Sequence, residues 1–102
     1  MSKTPKLQVG ELVMDTLTRE VRKGERKIEL TAKEYAILEY FMRNPNVVVT
    51  RTMLEEKAWD YEFDGMSNII DVYIRRLRSK INDDNASMIQ TLRGAGYRMS
   101  VE

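Results

Sequence analysis

The densest group of side chains able to bind a charged ligand is a basic run of four cations within six residues, Arg75, Arg76, Arg78 and Lys80. A guanidinium can donate two hydrogen bonds at once to guanine O6 and N7, and it can also pair with a phosphate. The net charge of the whole chain is only +1, so the local field of this run, not the average charge, would attract nucleic acid. Taken alone, such a run is equally typical of a solvated helix surface.

The residue types that most enzyme chemistry needs are missing from the chain. It contains no cysteine and no histidine, which excludes disulfides, thiolate metal sites, Ser-His-Asp catalysis and ordinary zinc sites. The remaining candidates for Mg²⁺ binding or acid–base chemistry form an acidic group, Glu55, Glu56, Asp60, Glu62 and Asp64. They fall on a helix end and a short loop without the glycine pattern of an EF-hand, so we expect a solvated or protein-contacting surface. We therefore predict no enzyme activity, no cofactor and no metal site.

The composition is that of one globular domain. The 102 residues are 42% hydrophobic and 32% charged, which is sufficient for one modest core. The chain has no run of the ~18 apolar residues that a membrane-spanning helix needs, and segment 1–5 lacks the apolar stretch of a secretory signal. We expect one cytoplasmic domain over residues 1–102, with an ordered core at about 6–100.

Alternating apolar residues in the first thirty positions predict three or four short antiparallel strands, with Gly24 at a hairpin turn. Thr31 and Glu34 then form a capping box for a first helix, which ends before the Asn44-Pro45 pair. Thr50 can cap a second helix from about Arg51 to Ala58.

A third helix is predicted from about Asn68 to Ile81, after a loop at 60–66, with Ser67 as its N-cap. Asp71 is spaced to pair with Arg75 one turn later. The apolar residues at positions i, i+4, i+7 and i+11 share one face and should dock the helix on the core; they are Ile70, Ile74, Leu77 and Ile81. The opposite face carries Val72 and Arg75, with Arg76 on its flank.

A hairpin is predicted from Met88 to Met99, with its turn at Arg93. Gly94 and Gly96 permit a sharp turn and leave the arginine uncrowded, so that it can enter a DNA minor groove. A plain hairpin with one surface arginine would have the same sequence. Strands, three helices, a basic third helix and a terminal hairpin together predict an α+β winged helix-turn-helix, with an N-terminal antiparallel sheet and a C-terminal β-hairpin wing.

Four motifs in this order resemble the OmpR/PhoB family of response-regulator effector domains, over about Leu7 to Met99. The segments that carry the resemblance are 30–41, 51–59, 70–81 and 89–98. The stretch from Trp59 to Asp71 looks closest to heavy-metal-responsive, including copper-responsive, members.

The resemblance implies a sequence-specific regulator of transcription that binds double-stranded DNA. Family members carry a receiver domain, absent from this chain, that a sensor histidine kinase phosphorylates on aspartate. They bind tandem direct repeats as a head-to-tail dimer, so the isolated domain should be a monomer. The loop between the second and third helices is expected to contact RNA polymerase, here through Glu62 and Asp64.

Residue roles follow by position in the family motifs. The resemblance places α-helical base contacts in the major groove and an arginine of the wing in the minor groove; the base-contacting residues would be Val72, Arg75, Arg76, Arg78 and Arg93. The residues expected to hold the DNA backbone are Trp59, Ser67, Asn68, Tyr73 and Thr91. Relatives often carry arginine at position 67 and histidine at position 73, so these two contacts differ in this chain.

Two other classes of protein fit parts of the pattern. A winged-helix module that binds only protein would share the fold, and a carboxylate-based enzyme would use the acidic group. A protein-binding module has no need of a basic helix together with a basic wing, so the basic run and Arg93 favour DNA.

Overall fold

The computed structural model describes residues 5–59, 69–83 and 85–100. These residues form two antiparallel sheets and three helices, in the predicted order. The strands of the first sheet are β1 (Lys6–Val9), β2 (Leu12–Asp15), β3 (Glu20–Lys23) and β4 (Arg26–Ile28). The helices are α1 (Ala32–Arg43), α2 (Arg51–Trp59) and α3 (Ile69–Lys80), and the second sheet holds β5 (Ile89–Leu92) and β6 (Gly96–Met99).

The N-terminal sheet is a meander in the order β1-β2-β3-β4. Its pairs include Met14 with Val21 and Val21 with Ile28, so residues two apart share one face. Val9, Leu12, Met14, Val21 and Ile28 are all buried. The alternation in the sequence predicted three or four short antiparallel strands, and the structure has four.

Helix α1 begins and ends where the sequence predicted. The Thr31 hydroxyl accepts from the Glu34 N–H at 3.2 Å, and Glu34 Oε1 accepts from the Thr31 N–H at 2.9 Å. This reciprocal pair satisfies two N–H groups that have no partner inside the helix. Asn44 is the C-cap residue, directly before Pro45.

Helix α3 docks on the core by the predicted stripe. Ile70, Ile74 and Leu77 of the helix, and Ile81 directly after its end, are each at most 1% exposed. Burying an aliphatic side chain of this size contributes about 1.5–3 kcal/mol. The opposite face is consequently turned away from the core.

The wing is the predicted β-hairpin, with one further residue bridged to its outer edge. Strands β5 and β6 pair Thr91 with Tyr97 and Ile89 with Met99. Val49 forms an additional bridge to Tyr97, with N–H to C=O distances of 2.7 and 2.9 Å in the two directions. The sequence analysis assigned no strand pairing to the segment before α2, so this bridge was not predicted. It ties the start of α2 to the wing.

None of the three helices, as far as the structure describes them, is long and apolar enough to cross a membrane.

Candidate nucleic-acid interface

The exposed face of α3 carries two of the four cations of the basic run. Arg75 and Arg76 are exposed, and Val72 is half-buried beside them. The guanidinium of Arg76 lies 6.0 Å from the centre of the Tyr73 ring. Tyr73 itself is only 7% exposed and belongs mainly to the core, so little of its surface is accessible for the predicted contact with the DNA backbone.

Arg78, the third cation of the basic run, is directed at the wing. Its Nε and Nη2 donate to the carbonyl oxygen of Ile89 at 3.0 and 2.7 Å. Nη2 also donates to the Thr91 hydroxyl at 2.7 Å. The side chain thus joins α3 to β5, and its predicted base contact would compete with these hydrogen bonds.

Lys80, the fourth cation, is paired inside the domain. Its Nζ lies 2.5 Å from Oε1 of Glu34, a carboxylate that is 1% exposed. Burial opposes ionisation of this carboxyl, but the hydrogen bonds from Lys80 and Thr31 outweigh burial and lower the pKa of Glu34. The basic run therefore divides into an outward pair, Arg75 and Arg76, and an inward pair that holds α3 in place.

Asp71 also departs from the sequence prediction. Its carboxylate does not turn to Arg75 along the helix but to two other elements. The Tyr97 hydroxyl of β6 donates to Oδ1, and Arg51 Nη2 of α2 lies 3.0 Å from the same oxygen and 3.1 Å from Oδ2. The predicted pairing with Arg75 is wrong, because the folded chain offers this carboxylate two partners closer than its helical neighbour. Arg75 acts on it only through longer-range charge.

The electrostatics of this three-element contact are mutually consistent. The hydrogen bond from Tyr97, reinforced by Arg51, lowers the pKa of Asp71. Burial and the neighbouring carboxylate raise the pKa of Tyr97 to about 12. At neutral pH the carboxylate is therefore charged and the phenol keeps the proton that it donates. This contact fixes α2, α3 and the wing relative to one another.

The C-terminal end of α3 is capped by cations from the N-terminal sheet. Lys23 Nζ donates to the Ile81 carbonyl at 2.7 Å, and Arg26 Nη2 donates to the Lys80 carbonyl at 2.8 Å. Positive charge at a helix C-terminus also interacts favourably with the helix dipole. Sequence reasoning missed this function of the β3–β4 hairpin, since the two segments are more than fifty residues apart.

Asp83 positions the first residue of β5. It is 5% exposed, and its carboxylate accepts from the backbone N–H groups of Ser87, Met88 and Ile89 at 2.8–3.0 Å. The only signal for this role in the sequence is an aspartate shortly after a helix end. It adds a further constraint on where the wing begins.

The wing tip presents Arg93 to solvent. The residue is exposed, and the turn around it is closed by a hydrogen bond from the Ala95 N–H to the Leu92 carbonyl at 2.9 Å. Gly94 has φ +75° there, a conformation that side chains disfavour. Thr91 is also exposed. These positions agree with the predicted roles of both residues without testing them.

Several predicted site residues lie outside the part of the chain that the structure describes. They are Glu62, Asp64, Ser67 and Asn68, and Trp59 ends α2 without a described side chain. Within residues 5–59, 69–83 and 85–100, no three acidic side chains come together in a way that could hold a metal ion.

Helix α3 is docked on the core with an outward arginine face, and it is held beside a hairpin that has an arginine at its tip. This arrangement defines a winged-helix DNA-binding domain. Two positively charged elements fixed at one surface can meet the two grooves of a duplex together. The chain belongs to the family described as "Transcriptional regulatory protein, C terminal", which matches residues 24–99. It is a DNA-binding output domain of the OmpR/PhoB response-regulator type.

Individual relatives agree with this assignment. The transcriptional regulatory protein CusR of Escherichia coli K12 is 42% identical over 95 residues, which cover 92% of this chain and 42% of CusR. The chain thus spans about two fifths of the length of the curated relative. The DNA-binding domain of Klebsiella pneumoniae RstA, solved in complex with the RstA box, superimposes with a TM-score of 0.82 at 27% identity, covering 93% of this chain and 96% of that one.

A third relative, DrrB of Thermotoga maritima, described as an OmpR/PhoB homologue, has a TM-score of 0.82 at 32% identity, covering 94% of this chain and 44% of that one. The predicted winged-helix fold is confirmed. So is the predicted class of protein, a DNA-binding domain of a transcriptional regulator, because the family match covers residues 24–99.

Proposed function

We propose that this domain inserts α3 into the major groove and the wing into the minor groove of its DNA site. One observation carries the proposal: the exposed Arg75–Arg76 face and the exposed Arg93 lie on elements that Arg78 and Asp71 join. Because the joint is made by hydrogen bonds inside the domain, the two basic elements meet DNA as one rigid unit. Little ordering cost then remains for binding.

In this arrangement α3 reads bases and the flanking residues hold phosphates. Val72 is placed to contact a thymine methyl, while Arg76 and Arg75 are placed to contact guanine or phosphate. Arg93 suits a narrow minor groove, whose negative potential attracts arginine. Thr91 and Tyr73, together with Trp59, Ser67 and Asn68, are proposed to hold the backbone.

A selection experiment tests these roles. Oligonucleotides selected from a random pool give the preferred site, and Arg76→Ala should relax preference at one base pair, costing roughly 1–3 kcal/mol of discrimination. Arg22→Ala removes the same charge from the exposed surface of β3, on the N-terminal sheet, and should leave the profile unchanged. If both variants select the same profile as the unaltered domain, the base-reading assignment fails.

Salt dependence tests the phosphate contacts separately. Each neutralised phosphate releases counterions, so the logarithm of affinity should fall steeply with the logarithm of salt concentration. Affinity that stays flat between about 50 and 200 mM salt would contradict phosphate anchoring.

The remaining partners follow from the family resemblance and from relatives more than twice as long as this chain. We propose a regulator whose receiver domain is phosphorylated by a sensor histidine kinase in the cytoplasm. Two such regulators would bind tandem direct repeats head to tail, with the loop carrying Glu62 and Asp64 against RNA polymerase. Membership of a heavy-metal-responsive subgroup stays a prediction.

The repeat arrangement is tested with three DNA fragments. The isolated domain should be a monomer in solution, bind one repeat weakly, and bind two direct repeats about one helical turn apart more tightly. Tighter binding to inverted repeats would contradict the head-to-tail arrangement.

A further inference from the structure

The guanidinium of Arg78 has little capacity left for reading a base. Nε has one hydrogen and Nη2 has two, and all three are directed at Ile89 O and Thr91 Oγ1. Both edges of a guanidinium that make bidentate pairs include Nη2, because one is formed by Nε with Nη2 and the other by Nη1 with Nη2. Only Nη1 keeps its hydrogens free, and it has no second free nitrogen beside it to complete a bidentate pair with a base.

Thr91 accepts one of the hydrogen bonds that Arg78 donates. Its hydroxyl accepts from Nη2 at 2.7 Å, so its own hydrogen points elsewhere, and the side chain is exposed. A hydroxyl that accepts from a cation is a stronger donor in turn, since linked hydrogen bonds polarise one another. The natural acceptor for such a donor beside a positive charge is an anionic oxygen.

The backbone N–H of Thr91 lies on the same side of β5 as Arg78. Its partner in the strand register is Tyr97, whose N–H and C=O are both bound to Val49 on the far side of β6. Directly opposed residues of an antiparallel pair either exchange both hydrogen bonds or none. The Thr91 N–H is therefore directed away from β6, towards the edge of β5 that Arg78 covers.

We propose that Arg78 is a positioning residue for a phosphate-binding site formed by the hydroxyl and N–H of Thr91, and does not read a base. The inference rests on the proposed DNA binding and deepens it. Arg78 orients the hydroxyl, holds the wing against α3, and supplies positive charge beside the phosphate. This positioning role explains why Arg78 is turned into the domain while its neighbours Arg75 and Arg76 face outward.

A double-mutant cycle on DNA affinity tests the coupling. Thr91→Val keeps the shape of the side chain without the hydroxyl and should weaken binding to all sequences about tenfold, the effect of one charge-assisted hydrogen bond. Arg78→Gln should weaken it by at least as much. Because the two residues act on one phosphate, the double variant should lose clearly less than the product of the single losses.

Further variants distinguish the orientation of the Thr91 hydroxyl from the charge of Arg78 and from an effect on folding. Thr91→Ser restores the hydroxyl and should recover most of the affinity, and Arg78→Lys should keep the salt slope without the full affinity. Base preference should be unaltered in every variant. Thermal unfolding checks that each protein is folded, and should Arg78→Gln fail to fold, the comparison of Thr91→Val with Thr91→Ser tests the hydroxyl on its own.

Three results would overturn the inference. They are a changed base preference in an Arg78 variant, losses that multiply fully in the double variant, or unaltered affinity in Thr91→Val. A domain that selects no DNA sequence at all would instead refute the proposed function, so the two failures are distinguishable.

Discussion

Replacing Gly96 by alanine should detach the wing from the segment that precedes α2. A Cβ added at Gly96 would lie 2.2 Å from the Val49 carbonyl oxygen and 2.9 Å from the Thr50 Cα. Both are backbone atoms, so no side chain can rotate away to make room. The backbone of Gly96 also has φ +134°, a conformation that side chains rarely adopt.

The magnitude follows from these contacts. Strain in a sparsely populated backbone conformation costs about 1–3 kcal/mol. Opening the bridge between Val49 and Tyr97 loses two hydrogen bonds, each contributing about 1 kcal/mol. The free energy of unfolding should therefore fall by about 3–5 kcal/mol.

Gly94→Ala is the matched control two residues away. Gly94 also has a positive φ, but an added Cβ would meet nothing within 4 Å. Its loss should be limited to about 1–2 kcal/mol of backbone strain. The restriction that alanine places on the unfolded chain, about 0.4–1 kcal/mol, acts on both variants and cancels in the comparison.

Urea and thermal unfolding of the two variants measure this difference. A change of 1 kcal/mol shifts the Tm of a domain this size by about 4–8 °C, so the two variants should be well separated. Equal losses would refute the reasoning, because they would mean that the close approach of Val49 to Gly96 contributes nothing beyond the φ requirement that both glycines share.

Three further predictions concern the core, the buried ion pair and the polymerase contact. Ile74→Ala should cost about 2–5 kcal/mol of stability in urea unfolding; a variant as stable as the unaltered domain would mean that the faces of α3 are assigned wrongly. The lowered pKa of Glu34 means that its contribution to stability is present above its ordinary value of 4.5 and is lost as pH falls below it. Glu34→Gln should remove that part of the pH dependence in unfolding curves recorded from pH 7 to 3, and an unaltered pH profile would argue against the pair with Lys80. Charge reversal at Glu62 and Asp64 should preserve DNA affinity and abolish promoter activation by the full-length regulator, and unchanged transcription at full occupancy would exclude the loop from activation.

Local features of the structure were predictable because their causes are local in sequence. The capping box of Thr31 and Glu34 joins residues three apart, and the strand alternation has a period of two. The stripe from Ile70 to Ile81 follows from helical geometry alone. The outward direction of Arg75 and Arg76 follows in turn, since the residues opposite a buried stripe must face solvent.

The sequence by itself therefore determined the elements, the buried face of α3 and the class of protein. Only the tertiary structure decided which cations of the basic run are exposed and which are paired inside the domain. Arg78 meets Thr91 and Ile89 on the wing, and Lys80 meets Glu34 across 46 positions. Hydrogen bonds and ion pairs act over a few ångströms in space, so positions brought together by folding carry no periodic signal along the chain that would reveal them beforehand.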